Sequence, residues 1–70
     1  MDYDRLTETE HSFASADRLW RAEVMRRFGP DGVLLHGYLP EGRGEPGTVM
    51  RRAFETRQRA ILAWRQARHS

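Results

Sequence analysis

All six glycines and all three prolines of this 70-residue chain fall between Gly29 and Gly47. Helix breakers are therefore absent from both flanks and dense in the middle. That distribution predicts a mainly α protein: a helix over about residues 8–28, a connector over 29–47 and a helix over about 49–68. The expected architecture is an antiparallel two-helix hairpin with the Gly/Pro-rich apolar connector packed across it, forming one small domain.

The first helix is expected to start at Thr7, where Thr7 and Glu10 have the spacing of a capping box. Glu8 and Glu10 suit the positive end of the helix dipole. Phe28-Gly29-Pro30 supplies the stop, with Arg26 and Arg27 in the last turn. Phe13, Ala16, Trp20, Val24 and Phe28 recur at three- and four-residue steps and form one apolar stripe. The second helix follows Gly47, with Thr48 as its N-cap. Its stripe is Met50, Ala53, Phe54, Ala60, Ile61, Trp64 and Ala67.

Between the helices, Val33 to Leu39 is short and apolar, and periodicity leaves it open between a strand and a packed extended turn. Two arrangements follow. The segment lies across the open face of the hairpin and completes the core, or it pairs with its copy in a second chain. The first is the one expected here. Pro40 to Gly47 reads as a flexible loop.

The chain is short enough to limit its chemistry. A domain of this size buries only about 60% of the surface its unfolded chain exposes. A deep catalytic pocket is not expected in so thin a core. There is no cysteine, so disulfides, cysteine-based zinc sites and thiol chemistry are excluded. His11, His36 and His69 fall in three separate regions without metal-ligand spacing. No Ser-His-Asp arrangement or glycine-framed serine is present. No cofactor, metal or enzyme activity is expected. The acidic start, Met1-Asp-Tyr-Asp-Arg, is unlike a secretory leader, and no apolar run approaches the roughly 20 residues that span a bilayer. No membrane association is expected, and a cytoplasmic location is.

Twelve arginines and no lysine stand against ten acids, a net charge of +2. The balance is uneven. Residues 1–35 hold five arginines and seven acids, for −2, whereas residues 36–70 hold seven arginines and three acids, for +4. Arg51, Arg52 and Arg59 on the second helix, with Arg43 in the glycine-rich loop before it, are candidates for contact with phosphate or another anion. The loop lacks the Gly-Lys-Ser/Thr of a P-loop, and a connector of this length is incompatible with a helix-turn-helix motif.

Arg57 falls inside the apolar stripe, among Phe54, Ile61 and Trp64. In an antiparallel hairpin it would lie near Trp20, with Asp17 as its natural partner and Glu23 also in range. Leu19, Met25 and Leu62 lie off the stripes and suggest a second contact surface.

A core this thin points to a partner. The expected function is a non-enzymatic protein–protein interaction module. It would self-associate or dock on a larger protein as an adaptor, regulator or inhibitor. Its contact residues would be Val33, Leu34, Leu35, Tyr38 and Leu39, flanked by Arg57. The alternative is an arginine-rich nucleic-acid binder using the second helix.

Overall fold

A computed structural model describes residues 3–37 and 39–69. Four helices follow one another: α1 (Tyr3–Phe28), α2 (Gly32–His36), α3 (Pro40–Arg43) and α4 (Val49–His69). The long helices α1 and α4 pack antiparallel as a hairpin, with α2 and α3 in the connector. The longest dimension of the molecule is 39 Å, the length expected of the 26-residue α1 at about 1.5 Å per residue.

The register follows from side chains that meet across the pair. Asp17 binds Arg57, the rings of Trp20 and Phe54 lie 6.4 Å apart, and those of Phe13 and Trp64 lie 5.8 Å apart. Trp20, Val24 and Met50 form the buried cluster, with Phe28, Val33, Ala53 and Phe54 packed against it. Ala16 and Ala67 are the other buried apolar side chains among the described residues. All of these but Val33, which the connector supplies, lie on the two expected stripes, because burial of one apolar face per helix is what stabilises a short pair in water.

Three expectations need correction. Helix α1 does not start at a Thr7–Glu10 capping box. It runs through Thr7 from Tyr3, because Asp4, Arg5 and Leu6 contain no breaker and Leu6 is half-buried. The connector is neither extended over Val33 to Leu39 nor a loop throughout Pro40 to Gly47: Gly32–His36 and Pro40–Arg43 are helical, with Leu39 extended between them. Its backbone turns helically, with Leu35 N–H bonded to Asp31 O at 3.0 Å and Gly37 N–H to Val33 O at 3.0 Å. A lone strand would have left these groups without partners, whereas a helical turn satisfies them locally. The connector leucines do not complete the core either. Leu34, Leu35 and Leu39 are 83, 60 and 48% exposed. One short turn presents only part of its circumference inward, and here Gly32 and Val33 occupy that part. Tyr38 lies outside the described residues.

The expected N-cap is present at Thr48. Its hydroxyl accepts the Arg51 N–H at 3.1 Å and donates to Glu45 O at 2.7 Å, satisfying one of the unpaired donors at the start of α4. At the far end of α1, Gly29 takes φ +94°, the left-handed conformation that closes a helix and favours glycine.

Candidate interaction surface

The connector is held to the hairpin by backbone contact. The Trp20 indole N–H donates to Gly42 O at 2.8 Å. Gly32 and Gly42 are both buried. A side chain at Gly32 would come within 2.9 Å of Val24 O, and one at Gly42 within 2.5 Å of His36 O. Glycine is what allows these approaches. The His36 ring stacks on Phe28 at 4.6 Å, and its Nδ1 lies 3.0 Å from Glu41 Oε1. The hydrogen bond with His36 holds the Glu41 carboxyl below its ordinary pKa, helped by the residue's own backbone. With α2 and α3 fixed from beneath, Leu34, Leu35 and Leu39 project outward. Met25 on α1 extends the apolar surface through a cleft it shares with Pro30, Val33 and Leu34.

Arg57 is engaged within the chain. Its Nε donates to Asp17 Oδ1 at 2.7 Å, and its guanidinium stands 4.9 Å from the Trp20 ring and 5.5 Å from the Phe13 ring. Arg21 Nε donates to the other oxygen, Asp17 Oδ2, at 2.7 Å. Burial by itself would raise the Asp17 pKa. The hydrogen bonds from Arg57 and Arg21, together with their positive charges, outweigh it and hold the carboxyl below its ordinary value.

The sign of the resulting pH dependence is determined. A pKa depressed by folding contributes stability that is complete above the unfolded value of about 3.9. That contribution is lost as pH falls through the folded value. Asp17→Asn is therefore expected to lower stability by about 1–2 kcal/mol at neutral pH and to flatten its decline below about pH 4. Thermal melts of both proteins from neutral to strongly acidic pH test this. Curves that stay parallel throughout would show that the ion pair contributes nothing.

The basic candidates lie at the end of α3 and along α4. Arg43 lies over Phe54 at 5.9 Å. Arg51 bonds Glu55 at 3.1 Å, and Arg59 bonds the Thr56 hydroxyl at 3.3 Å. Arg52 lies beside a groove between α1 and α4. Glu55 sits on the same outward face of α4, one turn from Arg51 and Arg59, and interrupts the positive charge.

That groove is not outlined by residue order. It has a volume of about 240 Å³ and is lined by Ala16, Leu19 and Glu23 from α1 and by Val49, Arg52, Ala53 and Thr56 from α4. Leu19 and Val49 are 64 and 59% exposed. Leu19 had signalled a second surface, but small residues such as Ala16 and Ala53 give no hint of whether they line a core or a groove.

Among the described residues, no cluster of three or more His, Asp or Glu side chains could hold a metal ion. No helix among them is long and apolar enough to cross a membrane. Comparison with protein-family models, curated proteins and solved structures gives no match.

Proposed function

We propose that this protein is a non-enzymatic protein–protein interaction module, acting as an adaptor, regulator or inhibitor through the corner built by α2 and α3. The observation that carries this reading is the exposure of Leu34, Leu35 and Leu39 on a corner whose backbone is tied to the buried Trp20. A mobile loop would have to be ordered on binding at a cost in entropy, whereas this corner presents its leucines already placed. Contiguous exposed apolar side chains on a small protein mark an interaction site more often than isolated ones do.

The nucleic-acid alternative draws on the arginines of α4. It is weakened by the pairing of Arg51 with Glu55 and by the packing of Arg43 on Phe54.

The test is site-specific photo-crosslinking in native cells, with a photoreactive amino acid in place of Leu35 or, as a control, Gln58. The expected result is a discrete protein adduct from position 35 that disappears when Leu34→Asp is added. Adducts from position 58 alone, or none from either position, would overturn the reading. Titration with duplex DNA and RNA separates the alternative. Phosphate contacts give a log K that falls with log salt at about 0.9 per contact on duplex DNA, and an apolar interface changes far less.

A further inference from the structure

We infer that the groove between α1 and α4 seats the same groove of a second copy, giving a two-fold four-helix bundle. The inference rests on reading the chain as an interaction module, but it concerns a different face from the α2–α3 corner.

The connector packs on the side of the hairpin that carries Trp20 and Phe54, with Gly42 O on the Trp20 indole and Arg43 over the Phe54 ring. Among the described residues the groove is lined by α1 and α4, and the connector reaches its edge at Glu23 and Val49, where Pro40, Glu41, Gly44 and Glu45 form the far wall of a neighbouring cleft. Its shape is self-complementary. Leu19 and Val49 are exposed on its two walls, while Ala16 is buried and Ala53 half-buried between them. A two-fold interface places the same patch on both subunits and so requires projection and recess within one surface.

Charge selects the arrangement. Helix α4 carries six arginines and one glutamate, whereas α1 carries five arginines and five acids. Stacking α4 on α4 of the second copy would oppose two strongly positive helices. A two-fold axis parallel to the helices instead lays α1 of each copy on α4 of the other and leaves all neighbouring helices antiparallel.

The intrachain register makes this specific. Asp17 is level with Arg57, so Glu23 is level with residues 51–52 and Leu19 with residues 55–56. In the dimer Glu23 of one copy thus meets Arg52 of the other, and Leu19 lies against the Ala53–Thr56 turn of α4. Glu23 already holds Arg26 at 2.7 Å, which leaves its carboxylate able to accept a second arginine. The broad face of the molecule measures 39 by 23 Å, enough for the about 800 Å² per partner that a stable interface buries.

Sedimentation of the full chain, with helix content followed by circular dichroism, tests the proposal. The parent protein is expected to be a dimer at tens of micromolar. Glu23→Arg and Arg52→Glu, made in separate chains, each oppose like charges twice in their own dimers and should weaken dimerisation about tenfold or more. Mixing the two variants should restore a heterodimer, because both contacts then join opposite charges. A monomeric parent would overturn the inference, as would variants that dimerise like the parent or a mixture that fails to recover. A dimer lost on Leu34→Asp but indifferent to both charge changes would place self-association at the corner and likewise overturn it. Position-35 adducts that persist with a monomeric parent would sink the groove and leave the proposed function intact. Loss of those adducts with the heterodimer recovered would do the reverse.

Discussion

Trp20→Ala is expected to abolish cooperative folding at room temperature. Trp20 is 1% exposed. It packs on Val24 and Met50, contacts the Phe54 ring, lies beneath the Arg57 guanidinium and donates to Gly42 O. Truncating a buried tryptophan to alanine costs about 3–5 kcal/mol through lost burial and the cavity left behind. A single core in a domain of this size rarely supplies more than about 3–5 kcal/mol in total. The loss therefore takes essentially all of the stability, and a far-ultraviolet thermal melt should show no sigmoidal transition. A cooperative melt within a few degrees of the parent would show that the core lies elsewhere. Trp20→Phe retains most of the ring but leaves Gly42 O without its donor, and should cost about 1–3 kcal/mol.

Gly42→Ala is expected to part α3 from the end of α2 at a cost of about 1–3 kcal/mol. The added carbon would stand 2.5 Å from His36 O and 2.7 Å from Gly37 O. Both are backbone atoms, so no rotamer change relieves the clash. The two short helices have to separate, which displaces Gly42 O from the indole of Trp20. Amide exchange should accelerate across α2 and α3 and much less in the middle of α1. Gly47→Ala is the control. Gly47 has φ +87° but nothing within 4 Å of the added carbon, so it reports backbone strain alone. Equal effects at the two positions would argue against close packing at Gly42.

The pairing of the long helices was readable from residue order alone. Breakers confined to the middle left two uninterrupted amphipathic segments, and Arg57 in one stripe called for the acid that Asp17 supplies from the other. Features set by the environment were harder to read. The capping spacing at Thr7 was present, yet nothing upstream stopped the helix, and the box lies inside α1. The connector's apolar run carried no periodicity, so its helical turns were settled by the need to satisfy backbone groups locally. The Trp20–Gly42 bond joins residues 22 apart, and no local pattern marks it. The groove arises where α1 and α4 meet, so no single helical stripe outlines it.

The turns within the connector also bear on how the hairpin forms. Between α1 and α4 the chain is closed in short steps: Gly32 N–H to Gly29 O, Leu39 N–H to His36 O, Gly42 N–H to Leu39 O and Thr48 N–H to Glu45 O. Each step spans three residues, so none requires a long loop to close at once, and loop closure is the entropic obstacle that slows chains dominated by distant contacts. Once those turns are in place, the start of α4 already lies beside the end of α1. Pairing can then advance from Val24 and Met50 toward Phe13 and Trp64 like a zip, with the start of α1 and the end of α4 packing last.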